Sequence, residues 1–232
     1  MTEYAGSHGS ETVFRDGKTE ALSRIIRNWL GPGDSHGLVV GCGSGLEAAI
    51  LAQELGLDII GVDLEERFDP RAAARVTLRV GDARNLEFAD RSFDLVFSYH
   101  ALEHIPEYHR ALSEMRRVLR EGGVYCIGTP NRLRWIGYIG SKDMVWSQKV
   151  RANFDDYTAR AQGRFRNEFG AHAGYSPEEL RGDLEKVFGK TTDITLEYYR
   201  AVYRRWRRIA VWLHRIGIGR YVFPSIYFIG RS

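Results

Sequence analysis

Residues 38–48 read LVVGCGSGLEA: a short apolar run, three glycines in five positions, then residues that suit a helix. Glycine where a buried strand hands over to a helix costs backbone entropy and supplies no side chain to pack. Such a position calls for a tight turn or for a ligand pressed against bare peptide groups. Outward from it the chain alternates between two textures. Residues 38–42, 57–64, 76–80, 93–99 and 124–129 are short, apolar and partly β-branched, whereas 46–55, a weaker stretch near Arg71 and 107–120 carry helical periodicity. Strands that alternate with helices predict an α/β fold, a parallel sheet covered on both faces by its crossover helices.

The rest of the chain is less regular. Residues 12–30 place Val13, Leu22, Ile25, Ile26, Trp29 and Leu30 at near-helical spacing, and Gly122-Gly123 reads as the stop of the 107–120 helix. Ser176 with Glu179 three residues on forms a capping box, and Pro177 suits the first turn of the helix that SPEEL announces. TTDITLEYY (191–199) reads as a strand, and so does the closing PSIYFIGRS. At 232 residues, 44% hydrophobic and 27% charged, the chain suits one domain with a full core. A net charge of +3 does not mark a nucleic-acid binder, and no nucleic-acid motif stands out. Cys42 and Cys126 have no metal-ligand spacing and no partner cysteines nearby, so neither a metal site nor a disulfide framework is expected. No run approaches the roughly 18 apolar residues of a spanning helix, and the first residues lack the pattern of a secretory signal, so a cytoplasmic setting is expected.

Gly41, Gly43 and Gly45 fall at the carboxyl end of the first strand, the edge where open α/β sheets bind ligands. Their spacing is G-x-G-x-G, because position 46 is Leu, and not the G-x-G-x-x-G of dinucleotide binders. The second strand ends in IIGVDL, which puts Asp63 where a carboxylate can accept from two ribose hydroxyls; alternatively it is a solvated strand end. Asp82 and Ala83 end the third strand, either beside an exocyclic adenine amine or in an ordinary turn. The fourth strand ends in SYHALEHI, so Ser98, Tyr99 and His100 would wall the reacting part of the ligand.

Together, LVVGCGSG, GVDL, GDARNLEFADRSFDLVFSYHALEHI and RALSEMRRVLREGGVYCIGTPNR resemble a class I S-adenosylmethionine-dependent methyltransferase of the small-molecule branch. The nearest likeness is to quinone-biosynthesis-type O-methyltransferases, over about residues 38–132, with a weaker echo in HAGYSPEEL. The resemblance implies a Rossmann-like, doubly wound seven-stranded sheet, mostly parallel with an antiparallel last strand. It further implies a helical N-terminal cap (1–36) and a substrate-side insertion (133–175) on a single domain (1–232). It places S-adenosylmethionine, with S-adenosylhomocysteine as product, against Gly41, Cys42, Gly43, Gly45, Asp63, Leu64, Asp82, Ala83, Ser98 and Tyr99. Toward the acceptor it places Glu103, Asn131 and Arg132, with His104, His172 and His100 as candidate bases, and each of these also has a purely structural alternative. The sequence departs from the family at Val39, where an acid normally precedes the first glycine by two residues. No metal is called for. An electrophile already activated as a sulfonium needs alignment and dryness above all.

The acceptor would be a small organic molecule, most simply a hydroxyl on a natural product, sugar or quinone-like compound. Its pocket would draw on Tyr4, the N-terminal helix and the aromatics Trp135, Tyr138, Trp146, Phe154 and Tyr157. Residues 198–221 hold seven arginines and no acid, with Val202, Trp206, Ile209, Leu213 and Ile216 in one helical stripe. This basic amphipathic helix either docks its stripe on the sheet or lies on an anionic membrane surface. Two other functions stay open at this point: a membrane-surface methyltransferase of a lipid or glycolipid intermediate, and a cofactor-binding regulatory protein without transfer activity. Oligomeric state is not legible.

Overall fold

A computed structural model describes residues 13–138, 141, 144–170 and 172–232. Tyr4 and the first third of the expected N-terminal cap lie outside them. In chain order the elements begin with α1 (Gly17–Arg27), β1 (His36–Val40), α2 (Leu46–Leu55), β2 (Asp58–Asp63), α3 (Pro70–Ala73) and β3 (Thr77–Val80). They continue with β4 (Phe93–Tyr99), α4 (Tyr108–Val118), β5 (Leu119–Pro130), α5 (Trp146–Ala161) and α6 (Pro177–Phe188). Last come β6 (Thr191–Asp193), α7 (Thr195–Val202), α8 (Arg207–Arg215), α9 (Gly219–Val222) and β7 (Ser225–Arg231).

Among the described residues seven strands form one sheet in the order β3-β2-β1-β4-β5-β7-β6. Strands β1 to β5 run parallel, and β7 runs antiparallel between β5 and β6. The fold is therefore the expected Rossmann-like one. The order reverses between β1 and β4, which opens a crevice at their carboxyl ends. Both faces are covered, because alternate strand residues point opposite ways. Val39, Leu95 and Phe97 join α1 and α2 in one core, while Leu38, Val40 and Val96 join α4 and α6 in the other. Leu22, Ile25 and Ile26 seat α1, each buried side chain contributing about 1.5–3 kcal/mol. Asp16 caps that helix by accepting from the Thr19 N–H at 3.1 Å. Ser176 and Glu179 make the reciprocal capping box that SPEEL predicts.

Four expectations change. Helix α4 stops at Val118, two residues early, because Leu119 turns extended to pair with Phe93; Gly122, at φ +72°, shapes the turn inside β5 instead of capping the helix. Only the first three residues of TTDITLEYY are strand. The Asp193 carboxylate accepts from the Thr195 N–H at 2.8 Å, and α7 begins there. The 198–221 stretch is not one helix, since a turn at Tyr203 and a 3-10 segment (Arg204–Trp206) separate α7 from α8. Of its expected stripe, Val202 and Leu213 are half-buried whereas Trp206, Ile209 and Ile216 are exposed. Finally, Trp135, Trp146, Phe154 and Tyr157 face solvent, and of that aromatic group only Tyr138 reaches a cavity beside the crevice.

Candidate functional site: two cavities that meet at His100

The glycine loop leaves β1 and enters α2 through three residues at positive φ: Gly41 (+73°), Gly43 (+53°) and Gly45 (+81°). At Gly45 a Cβ would come within 2.5 Å of Leu78, so close helix–strand packing fixes that glycine. At Gly43 a Cβ would meet nothing within 4 Å, so packing does not require it; its φ and its bare face toward the cleft do. Its N–H donates to Asp63 Oδ2 at 2.7 Å, while Glu65 N–H donates to Oδ1 at 3.2 Å. The carboxylate at the tip of β2 is thus held by backbone and keeps acceptor capacity toward the cleft.

That cleft, about 410 Å³, is lined by Gly41, Gly43, Asp63, Leu64, Asp82 and Ala83, and on its far wall by His100 and His104. Leu64 is 68% exposed, an apolar shelf of the kind a flat base can cover. Asp82 is less free than the sequence implied. Arg84 grips both its oxygens, at 2.7–3.1 Å, and this hydrogen bonding holds the carboxyl down at about 2. Cys42 is no nucleophile: burial, then the Asp63 charge, pushes its thiol up to about 12. Ser98 is enclosed within β4, its Oγ without a hydrogen-bond partner among the described residues, and it lines neither this cleft nor the cavity beside it.

That second cavity, about 330 Å³, shares His100 with the first. Tyr99, Tyr198, Tyr199, Tyr203 and Tyr227 wall it, with Lys18, Arg134 and His172 at its rim. Tyr198 packs on Tyr227 at 4.0 Å between ring centroids, and Tyr227 Oη hydrogen-bonds Tyr99 Oη at 3.3 Å. The tyrosines of α7 and β7 are absent from the sequence-based site, whereas Lys18 belongs to the N-terminal helix expected to border it. The YY doublet was the available signal, and reading it as strand concealed its direction.

His100 sits at φ +52°, a backbone state costing about 1–3 kcal/mol for a side-chain-bearing residue and common at functional sites. Its Nε2 lies 3.1 Å from Ser225 Oγ, and its Nδ1 lies 3.7 Å from Glu103 Oε1. Crowding by the surrounding protein first, then Lys18 and Arg134, pushes the imidazole pKa down although 38% of the side chain stays exposed, so the ring is neutral at neutral pH. Glu103 Oε1 also lies 3.8 Å from His104 Nε2. Neither Glu103 oxygen has a hydrogen bond among the described residues, and burial pushes the carboxyl up to about 7. His104 packs edge-on against His172 at 4.7 Å, and burial and that neighbour lower its pKa. The three histidines and Glu103 are therefore brought together.

Asn131 and Arg132 are not brought to either cavity. The buried Asn131 amide donates to the Arg220 and Phe223 carbonyls at 2.7 and 2.9 Å, closing the turn onto β7. Arg132 pairs with Glu179 at 2.9 Å and donates to the Gly174 carbonyl at 2.8 Å. Both act in structure.

A crevice at the sheet's switch point, with a glycine loop on one side and a carboxylate at the tip of β2, defines an adenosyl-binding Rossmann-like protein. The methyltransferase domain family matches residues 38–127. The "Probable S-adenosylmethionine-dependent methyltransferase" of Mycolicibacterium smegmatis is 36% identical over 99 residues, covering 41% of this chain and 38% of that protein. The demethylmenaquinone methyltransferase of Alkalihalophilus pseudofirmus is 35% identical over 109 residues, covering 42% and 46%. A Thermotoga maritima S-adenosylmethionine-dependent methyltransferase shares the fold at TM-score 0.55 and 19% identity, over 93% of this chain and 88% of that one. Residues 38–127 are thus similar to S-adenosylmethionine-dependent methyltransferases, and the chain spans less than half the length of the two curated relatives named above.

Proposed function

We propose that the protein transfers a methyl group from S-adenosylmethionine to a hydroxyl of a small organic acceptor, of natural-product, sugar or quinone-like type, held in the tyrosine cavity. The observation that carries this reading is His100, the residue common to the cofactor cleft and the tyrosine cavity. The residues present fit the cofactor: bare peptide at Gly43, an anchored Asp63 and an uncovered Leu64. When bound, the sulfonium supplies an activated methyl group. The protein's part is to align the acceptor and keep water out. The tyrosine rings form the walls; His100 Nε2, beside Ser225 Oγ, would receive the proton that the acceptor oxygen releases as it gains the methyl and becomes acidic, while Glu103, 3.7 Å from Nδ1, balances the resulting charge. The names of the quinone methyltransferase relatives add support for an aromatic acceptor. His100→Ala is expected to lower methyl transfer roughly a hundredfold, while leaving S-adenosylhomocysteine affinity nearly unchanged. The assay follows label from methyl-tritiated S-adenosylmethionine into a panel of phenols, hydroxyquinones and sugars. Transfer by the variant at the wild-type rate would overturn the role.

The missing acid at Val39 has a substitute in this reading. Val39 is buried in the core and brings no charge to the cleft. Glu47, in the first turn of α2, lines an adjoining cavity with Gly41, Gly43, Ser44, Tyr99 and Lys18. Burial and Asp16 push its carboxyl up to about 7, with Lys18 pulling the other way, so an added cation would be welcome. Glu47 thereby holds the α-ammonium of the cofactor's methionine end. Glu47→Gln should weaken S-adenosylhomocysteine by roughly tenfold, a charge-assisted hydrogen bond's worth. It should leave 5′-methylthioadenosine, which lacks the amino acid, unaffected. Equal losses for both ligands in calorimetry would exclude this assignment.

A further inference from the structure

We infer that the outer face of α8 docks the protein on an anionic lipid surface. Helix α8 leans inward on Ala210, which is buried, and on the half-buried Val211 and Leu213. Its opposite face carries Ile209 and Trp212, and the C-cap residue Ile216 continues the row; the three are exposed by 46%, 59% and 46%. At 3.6 residues per turn these three fall within roughly 60° of one another around the axis, with Arg208 and Arg215 along one border. An isolated exposed apolar side chain means little, but an aligned bulky set beside cations is unusual on a water-facing helix. Trp206, exposed by 58%, precedes the helix between Arg205 and Arg207.

The charge on this face decides the partner. Between 198 and 221 the chain has seven arginines and no acid. Arg204, Arg205, Arg207, Arg208 and Arg215 are exposed and have no ion pair among the described residues, in contrast to the nearby Arg220, which pairs with Glu178 at 2.9 Å. An aliphatic and indole ridge rimmed by unpaired guanidinium groups fits a surface that is apolar within and anionic outside, as anionic lipid is. Nucleic acid would satisfy the arginines but would leave Ile209 and Ile216 in water. Depth also fits: among the described residues no helix is long and apolar enough to cross a membrane, so contact would be peripheral. The orientation is useful as well. Helix α7, joined to this face by Tyr203 and the 3-10 segment, supplies Tyr198 and Tyr199 to the acceptor cavity, which Tyr203 also lines, so docking would bring that cavity beside the lipid.

Flotation of the full chain with phosphatidylcholine vesicles, with and without phosphatidylglycerol, tests the inference without requiring any methyl transfer. The chain is expected to float with the anionic vesicles, and much less with the neutral ones. Ile209→Ser/Trp212→Ser should reduce the bound fraction at least tenfold with an unchanged melting curve, because both side chains already face solvent. Arg208→Ser/Arg215→Ser should do so too, at roughly fivefold per basic residue. It serves as the deciding variant if the first fails to fold. Absence of flotation with anionic vesicles overturns the inference. So does flotation that both variants leave intact, or a gel shift with RNA or DNA by a protein that ignores vesicles.

Discussion

Asp63→Ala is expected to weaken S-adenosylhomocysteine by a hundredfold or more, the largest effect of any single change in the cleft. The carboxylate is already aimed, because the Gly43 and Glu65 amides hold one oxygen each. Two hydrogen bonds that the charged carboxylate accepts from ribose hydroxyls contribute about 1.5–3 kcal/mol each, and about 1.4 kcal/mol is a tenfold change in affinity. Asp82→Ala gives the contrast. That carboxylate is occupied by Arg84, so its removal should change affinity only a few-fold. Asp63→Asn keeps the shape and loses the charge, and should fall between. Calorimetric titration of the three variants decides the matter. If Asp63→Ala binds as well as wild type while Asp82→Ala does not, the ribose clamp is assigned to the wrong strand.

That contrast also marks what the sequence could disclose. The glycine loop and Asp63 were legible because their constraints are local: a positive φ at each glycine and a carboxylate at a strand tip. Asp82 also ends a strand on this edge, where the sequence allowed an adenine contact or an ordinary turn, and the side chain two residues on, which curls back onto it, favours the turn. The acceptor side was less legible because it is assembled at long range. Tyr227 enters through β7, which inserts between β5 and β6, and Tyr198 meets it only because α7 winds where residues 194–199 read as strand. Threonine, isoleucine and tyrosine favour strands, but ring packing on Tyr227 and the turn in which Asp193 accepts from Thr195 N–H outweigh that preference here. Asn131 misled for a related reason. A polar residue at a strand tip suggests a ligand until its amide is found on two backbone carbonyls some ninety residues away in the chain, with separations of 89 and 92. Glu47 could have been picked out from the sequence, as an acid in the first turn after a motif that lacks its own, had the missing charge at Val39 prompted a search for a replacement.

Glu103→Gln is expected to stabilise the protein at pH 8 and to do little at pH 5. The Glu103 side chain is 1% exposed, and both oxygens are without hydrogen bonds among the described residues. Burial is the main cause that raises its carboxyl from the ordinary 4.5 to about 7, while the nearness of its own backbone N–H and the Arg134 charge oppose it. A raised acid binds its proton more tightly in the folded state than in the unfolded one. Stability therefore falls as pH climbs from 4.5 toward 7 and stays lower above that. At about 1.4 kcal/mol per pH unit the penalty is of the order of 3 kcal/mol. Glutamine, uncharged at every pH, removes it. For a chain of this size that corresponds to a melting temperature higher by roughly 5–10 °C at pH 8, shrinking toward zero at pH 5. Such a penalty, kept beside the imidazole that borders both cavities, has a use. A carboxylate near half-ionisation at neutral pH can balance the charge that His100 gains when it takes the acceptor's proton. Melting curves of both proteins from pH 5 to pH 8, recorded without ligand, read the difference directly. A gap that stays constant across the range would mean that Glu103 is comfortably ionised in the fold, and His100 would then have a permanent counter-charge in place of a titrating one.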